Sequence, residues 1–540
     1  MTTTDPLVAQ LTAPDQMFAI GERDGVRQFL KAPPDLATLV DSARRHGDAT
    51  MIVEAEGRYS YADMFARADA LAAELSIQPG DRVAIAMRNR SEWMVAFLAV
   101  LRRGGVNVQL NSRAAGEELN QLVADTTPVL VIADEKCADR MTGAGYEGSL
   151  LLARDFPAPG AEPPPLHRAA PDDPCAILFT SGTTGRAKGA VLTNRNMVSS
   201  LMSVQLSGFL VLHNMANKLG LPAETLMANA PQFATLLVFP LFHISGVVSG
   251  FLSPMLSGGK VVIMRRWDPD EALRLIADEK ITMFSAVPTM LWDIVNRSGT
   301  DGADLSSLNN VGTGGQAMPL ALLEQIRTAC PQAAMGTGYG MTETAGGVAM
   351  SVGEDFIRNR KAAGRPFELA EMRILDDDDN PLPTGEVGEI AVRGALVMKE
   401  YFGRPEETAE VFTADGWMKT GDVGYLDDEN YVYIVDRKRD MVISGGENIY
   451  CAEVERVIGQ MDGVEENAAF GIPDDRLGEA LVAIVRGKVD EDAVKSDVSE
   501  RLAAYKSPSR VIVTEDPLPR NAVGKVDKIA LRKQFIGEDA

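Results

Sequence analysis

Residues Ile177–Ala190 read ILFTSGTTGRAKGA. Within them Thr180, Ser181, Gly182, Thr183, Thr184 and Gly185 form an unbroken run of hydroxylated residues and glycines, with Arg186 and Lys188 close behind. Glycine lets a backbone come close to a ligand and turn its N–H groups toward it. Hydroxyls add donors, and a lysine adds a point charge. A run of phosphate oxygens needs that combination. A Walker A loop requires Gly-x4-Gly-Lys-Ser/Thr. Here Ala187 stands where the second glycine belongs and Gly189 where the metal-binding hydroxyl belongs, so a phosphate loop would have to be of another kind. Taken alone, the segment also fits a surface turn rich in Ser, Thr and Gly.

The elements around it read as α/β. Gly189–Leu192 (GAVL) is a short strand pattern, and a helix follows with its cap near Asn194. Arg82–Met87, Pro128–Ala133 and Lys260–Met264 are short, β-rich and bounded by turn formers, as buried strands are. Tyr61–Leu75 repeats apolar residues at helical spacing, and Asp268-Pro269 caps and opens a helix over Asp270–Glu279. Such alternation predicts layers of largely parallel sheet and helix. Pro157–Pro174 is proline-rich and reads as a loop or link between subdomains.

The chain has 540 residues, which at about 150 residues per domain predicts three or four domains or subdomains. Its net charge is −23, which argues against nucleic acid as a partner, because that needs a broad basic face. Cys137, Cys175, Cys330 and Cys451 are far apart, with no CxxC pair to suggest zinc or a disulfide framework. The first residues (MTTTDPLVAQLTAPDQMF) lack a basic region followed by an apolar run, so a reducing cytoplasm is the expected compartment. The apolar runs Met94–Leu101 and Ala234–Phe242 fall well short of the ~20 residues a membrane span needs. No integral membrane segment is therefore expected; peripheral contact with a membrane and a homodimer both remain compatible with the sequence.

The tail differs from the rest. An acidic helix pattern at Cys451–Gln460 and strand patterns at Asn467–Gly471 and Ala480–Arg486 lead to a basic end. Eight Lys/Arg against three Asp/Glu in Arg501–Lys533 give a local charge of +5. With the charged junction Asp436–Asp440 (DRKRD), this suggests a separate small domain beginning near there. The basic stretch reads equally as a solvated helix face or as a cationic surface.

Thr180–Gly189 (TSGTTGRAKG) resembles the signature loop of the adenylate-forming superfamily, which includes acyl-CoA synthetases, the adenylation domains of peptide synthetases and firefly luciferase. Further segments match in the family's order: Pro240–Gly246 (PLFHISG), Tyr339–Thr344 (YGMTET), Gly385–Gly394 (GEVGEIAVRG), Trp417–Gly424 (WMKTGDVG), Tyr433–Asp440 (YIVDRKRD), Ser444–Glu455 (SGGENIYCAEVE) and Pro519–Lys528 (PRNAVGKVDK). The matches cover about residues 175–530. The resemblance implies an α/β fold: a large multi-subdomain N-terminal domain of layered sheets and helices over residues 1–436, and a small mobile C-terminal α+β domain over 437–540.

It also implies a reaction. ATP activates a carboxylic acid as an acyl-adenylate with release of pyrophosphate, and coenzyme A then forms the thioester and releases AMP. The resemblance gives Thr180–Lys188 the β- and γ-phosphates, Glu343 the magnesium ion, and Thr342 the α-phosphate. Tyr339, between Gly338 and Gly340, offers a flat face to adenine. Asp422 would accept the ribose hydroxyls, as an acceptor-only carboxylate can, and Arg437 would donate to the same ribose. Lys525 is the lysine that bridges substrate carboxylate and α-phosphate, so the catalytic set is Lys525, Glu343, Lys188 and Thr342. His243, Ser245, Val287, Gly312, Gly314 and Gly315 would line the acyl pocket. The acid arrives ionised, so His243 is a gate there rather than a base. Gly445 and Gly446 match the loop lining the pantetheine channel, and Arg439 falls at the hinge, where Asp or Lys is usual.

The chain departs from the family pattern at Ala187, where proline is usual, at Gly315-Gln316-Ala317, and at Asn194, where His is frequent. The expected substrate is a hydrophobic acid, a medium or long fatty acid or an aryl or cyclic acid; the apolar stretches Phe209–Leu212 and Ala234–Phe242 favour it. The alternatives are an adenylation enzyme that loads a carrier-protein thiol, disfavoured because the tail shows no carrier-like segment, and an inactive nucleotide-binding regulator, disfavoured by the intact charged set. A light-emitting oxygenase is the remote option, since these motifs alone do not separate it.

Overall fold

The computed structural model describes all residues except 1–5, 24, 181–186, 302, 315–319, 445–446, 475, 522–523 and 538–540. The chain forms two units, residues 1–371 with 393–416, and residues 372–392 with 417–540.

The first unit is built on two large sheets. One has seven strands, in the order Glu400–Tyr401, Lys188–Thr193, Pro174–Thr180, Val106–Gln109, Arg82–Ala86, Leu130–Ala133 and Leu150–Leu152. Its last five are parallel and its first two pair antiparallel. Val83–Ala86 in the strand Arg82–Ala86 is buried at every position, and a strand covered on both faces reads in this way as a continuous apolar run without alternation. The other sheet has nine strands. Six neighbours are parallel: Ala334–Met341, Asn310–Gly314, Met283–Ala286, Ala234–Leu237, Lys260–Ile263 and Thr50–Glu54. Antiparallel strands flank them at both edges. Phe284, Leu236, Val311, Leu322 and Phe356 share one buried core on this sheet.

The helices close where the sequence marks them. Ser60 caps Tyr61–Glu74 in a reciprocal capping box with Asp63. Asp268 accepts the Asp270 and Glu271 amides and starts Pro269–Asp278. The apolar run Met94–Leu101 is the interior of the helix Ser91–Arg102, buried throughout. The helix after the phosphate-type loop runs Asn194–Leu219 and is capped by Thr193, one residue before the expected cap, in a capping box with Asn196. Asn194 does different work: its Oδ1 accepts the Leu36 amide at 2.9 Å and its Nδ2 donates to the Asp173 carbonyl at 2.9 Å. No helix among the described residues is long and apolar enough to cross a membrane.

The second unit holds most of a four-stranded sheet (Ala370–Leu375, Gly388–Gly394, Met418–Leu426, Val432–Arg437) and a five-stranded sheet around the long hairpin Val464–Asp474 and Gly478–Gly487. The helices Cys451–Ile458, Glu491–Arg501 and Lys528–Phe535 belong to it. Val454, Ile458, Leu481, Val485, Val494 and Val511 make one of its cores. The basic tail is not an uncompensated cationic surface. Lys506 pairs with Glu453 at 2.6 Å, Arg520 with Glu466 at 2.9 Å and Lys528 with Glu455 at 2.8 Å. Counting charge along Arg501–Lys533 alone missed these carboxylates, which come from earlier in the chain.

Removing the Asp268 cap should cost about 1 kcal/mol by leaving two first-turn amides without their acceptor. Urea unfolding of Asp268→Ala should show the lowered midpoint, and an unchanged midpoint would contradict the capping role.

Candidate active site

The phosphate-type loop lies between two strands that pair antiparallel, Pro174–Thr180 and Lys188–Thr193. Thr180 ends one strand, Lys188 begins the next, and the two are register partners. The ends of the loop are therefore held together by the sheet. Ser181, Gly182, Thr183, Thr184 and Gly185 lie outside the described residues. Lys188 is largely buried, and its ammonium sits 2.7 Å from Glu407 Oε2 and 5.1 Å from the ring centre of Tyr401.

Tyr339-Gly340-Met341 ends a parallel strand and Thr342-Glu343-Thr344 makes a single tight helical turn after it. A Cβ at Gly340 would stand 2.0 Å from the Gly346 carbonyl oxygen, so only glycine lets the returning strand come this close. Ala345 turns at φ +53°, and its carbonyl is held by Ser200 Oγ at 2.7 Å. This turn buries Thr342, Glu343 and Thr344 together. Tyr339 is also buried. Glu343 Oε1 accepts the Tyr401 hydroxyl at 2.8 Å, while its backbone carbonyl accepts the Met398 amide at 2.7 Å.

The segment 395–402 ties these pieces to one another. The Ala395 and Val397 carbonyls accept the Asn196 side-chain amide at 2.9 and 2.7 Å. The Lys399 and Phe402 amides donate to Val191 and Gly189 on the Lys188 strand. Lys188 and Glu343, about 155 residues apart, thus meet at one phenol. Sequence reading missed Tyr401 and Glu407. The available signal was modest: an aromatic pair, Tyr401-Phe402, shortly after Gly385–Gly394 and just before a helix opened by Pro405.

The acyl-pocket candidates share a different feature. Four neighbouring parallel strands, Ala234–Leu237, Met283–Ala286, Asn310–Gly314 and Ala334–Met341, run the same way in the nine-stranded sheet. Val287 directly follows the second, Gly314 ends the third, and Gly312 lies in its middle. His243 and Ser245 lie a few residues beyond the first, just before a wide π-type helix at Gly246–Leu252. Carboxyl ends of adjacent parallel strands are where open α/β sheets bind ligands. Both His243 and Ser245 are half-buried, and Val287 is buried. Gly315 lies outside the described residues.

In the second unit, Asp422 and Arg437 are register partners on antiparallel strands, and their side chains pair at 3.2 Å. Asp422 is buried, and its amide donates to Thr420 Oγ1 at 3.2 Å; Gly421 before it turns at φ +73°. Lys525 is half-buried on a tight turn, its amide donating to Asn521 Oδ1 at 3.1 Å while Gly524 takes φ +85°. Arg439 lies in the short turn Lys438–Asp440, and its side chain is outside the description. Gly445 and Gly446 are likewise outside the described residues.

Asp436, beside Arg437, accepts the Arg437 amide at 2.7 Å and the Ala452 amide at 3.0 Å, near the start of the helix Cys451–Ile458. Burial pushes its carboxyl up to about 6, against the pull of those two donors and of Lys528. Cys451 is buried and donates to the Asp440 carbonyl at 2.9 Å. Burial pulls the half-buried Lys528 ammonium down, but Glu455 at 2.8 Å and neighbouring charges outweigh it and hold the ammonium above the ordinary lysine range.

Comparison with known proteins agrees with this geometry. The AMP-binding enzyme family model matches residues 39–402, and the model of the AMP-binding enzyme C-terminal domain matches 453–525. A feruloyl-CoA synthase of an Amycolatopsis species is 36% identical over 505 residues, covering 92% of this chain and 98% of its own. A long-chain-fatty-acid–CoA ligase of Mycobacterium tuberculosis is 33% identical over 495 residues, covering 88% and 93%. Among solved structures, o-succinylbenzoate CoA synthetase of Bacillus subtilis with its acyl-adenylate intermediate matches at a TM-score of 0.77 and 30% identity, covering 92% of this chain and 97% of that one. ATP-bound MatB from Rhodopseudomonas palustris matches at 0.79 and 29%, covering 93% and 100%.

An acid whose folded pKa is raised is favoured in its protonated form by folding. Its contribution is complete below the usual 3.8 and is lost as pH rises through about 6. The Asp436→Asn variant should therefore lack a fall in unfolding midpoint that the parent chain shows between those two values. Urea titrations at several pH values check this, and parallel pH profiles for the two proteins would contradict it.

Proposed function

The chain belongs to the AMP-binding enzyme family and is an adenylate-forming acid–CoA ligase; from that premise we propose that its acid is hydrophobic, a medium- or long-chain fatty acid or an aryl or cyclic acid. One observation carries the proposed chemistry: a buried carboxylate, Glu343, and the loop lysine, Lys188, converge on Tyr401 next to a glycine- and hydroxyl-rich turn. That arrangement suits a triphosphate and its counter-ion.

Glu343 fits a magnesium ion. Magnesium typically takes one or two carboxylates and completes its shell with water and substrate phosphate. Among the described residues no three His, Cys, Asp or Glu gather into a full metal cage, and no donor reaches the second oxygen of Glu343. Bound there with nucleotide, the ion would supply positive charge beside the phosphates.

In the proposed reaction a carboxylate oxygen attacks the α-phosphorus of ATP, and the bond to pyrophosphate breaks. The thiolate of coenzyme A then attacks the adenylate carbonyl, forms the thioester and releases AMP. No base is needed for the first step, so the residues' work is positioning and charge stabilisation. Thr180 to Gly185 and Lys188 hold the β- and γ-phosphates, and Thr342 the α-phosphate. Gly338, Tyr339 and Gly340 take the adenine, and Asp422 with Arg437 takes the ribose. The Asp422–Arg437 pair, already at 3.2 Å, supports that assignment, because the arginine fixes the carboxylate that must accept two hydroxyls. Lys525 neutralises charge developing between acid and α-phosphate. His243, Ser245, Val287, Gly312, Gly314 and Gly315 form the acyl pocket, and their association with the carboxyl ends of adjacent strands supports it.

In the second step Gly445 and Gly446 leave room for the pantetheine arm. Residues 437–540 act as the mobile domain against residues 1–436, with Arg439 at the hinge. Support for a greasy acid comes from relatives named for feruloyl and long-chain fatty acyl substrates, and from the buried Val287. Relatives named as CoA ligases favour coenzyme A over a carrier-protein thiol.

Lys525→Ala should lose about 10²–10³ in the rate of adenylate formation while retaining thioester formation from supplied acyl-adenylate. Pyrophosphate release and thioester yield, measured separately, test this; equal loss in both steps contradicts the role. A panel of acids assayed for CoA-dependent AMP release tests the substrate class. Preference for short, polar acids would overturn it, and ATP–pyrophosphate exchange without CoA turnover would favour the carrier-loading alternative.

A further inference from the structure

Tyr401 and Glu407 lie outside every motif that identified the chain, yet both touch charged members of the proposed site. We propose that Tyr401 is a positioning residue that orients Glu343 for the metal and seats the Lys188 ammonium, and that Glu407 is a counter-ion that Lys188 leaves when phosphate arrives. This deepens the reading above and rests on its assignment of Glu343 and Lys188.

Neutrality of the partner is the first point. A lysine or arginine on Glu343 would orient it but cancel the charge a cation needs. A phenol hydroxyl orients without cancelling. The Tyr401 hydroxyl donates to Glu343 Oε1 at 2.8 Å and brings no charge of its own to the carboxylate. Its bond to Oε1 fixes the carboxylate rotamer and leaves Oε2 without a donor among the described residues.

Rigidity is the second. Tyr401 pairs with Ala190 in the sheet, its amide donates to Thr408 Oγ1 at 3.0 Å, and the Phe402 amide donates to Gly189 at 2.8 Å. The backbone carrying the phenol is thus tied to the strand that carries Lys188. The ring lies 5.1 Å from the Lys188 ammonium, close enough for a cation–π contact.

Glu407 is the third. It holds Lys188 at 2.7 Å, and its other oxygen, Oε1, lies 3.6 Å from Arg404. Glu407 therefore has a second cation nearby. When a phosphate draws Lys188 away, the carboxylate keeps Arg404 and is not left unpaired, so the exchange avoids the large cost of an uncompensated buried charge. Before nucleotide arrives the same ion pair opposes binding, because Lys188 must first be released.

The test uses the full chain with Mn2+ as the metal probe and α,β-methylene-ATP as the nucleotide. Free Mn2+ is followed by electron paramagnetic resonance. Tyr401→Phe keeps the ring and loses the hydroxyl. It should weaken Mn2+ binding about five- to tenfold, as expected for a lost hydrogen bond to a charged group, with the urea midpoint unchanged. A shifted midpoint with unaltered Mn2+ affinity would mean that Tyr401 only packs, overturning the proposal. Glu343→Gln separates the two levels. If it binds Mn2+ as tightly as the parent, the assignment of Glu343 itself fails. If it weakens binding while Tyr401→Phe does not, only the role given to Tyr401 fails. Glu407→Gln should act in the opposite sense and tighten the nucleotide analogue, measured by calorimetry without metal. Weaker or unchanged nucleotide binding in that variant would overturn the counter-ion exchange.

Discussion

The hydrogen bond from the Tyr401 hydroxyl to Glu343 is the contact on which the first unit's charged site depends. Glu343 is buried by a turn that also buries Thr342 and Thr344, and a buried carboxylate needs a partner. Lys188 faces the same requirement from the other sheet. An edge strand of two residues, Glu400–Tyr401, satisfies both, because it pairs with the lysine's strand and presents its phenol to the carboxylate. The two large sheets are thereby joined at the point where their charged groups would have to act on one nucleotide.

Sheet geometry explains why groups so distant in sequence can share a site. Parallel strands deliver their carboxyl ends to one edge, and each strand can end in a different chemical group. Here the ends carry Tyr339, Gly314, Val287 and, a few residues beyond its strand, His243. The phosphate-type loop lies between antiparallel strands instead, with Thr180 and Lys188 as register partners.

What could be read from the sequence follows the range of each interaction. The strand after the loop, the Asp268 cap and the buried strand at Arg82 are local, set by residues within a turn or two, and they were legible to within a residue or so. Ordered motifs gave the fold class for the same reason: each is a short stretch of fixed residue types. The cap of the long helix moved from Asn194 to Thr193 because Asn194 is drawn into bonds with Leu36 and Asp173, partners that spacing does not reveal. Tyr401 and Glu407 stayed hidden for a stronger form of that reason. Their importance exists only once Glu343 and Lys188 are brought beside them. The basic tail misled in the same way, since Glu453, Glu455 and Glu466 are remote in sequence and adjacent in space.

The second unit manages its charges differently. Asp422 is paired through a ladder partner that is itself partly exposed, and Arg437 holds its carboxylate at 3.2 Å. Asp436, one residue before that arginine, is buried with two backbone donors and pushed toward its neutral form. Acids on two paired strands thus sit in opposite electrostatic settings: one is held by an ion pair with Arg437, the other accepts the amide of Ala452 and ties its strand to the following helix. Both carboxylates are buried, so their partners, rather than residue type or burial alone, set the two apart.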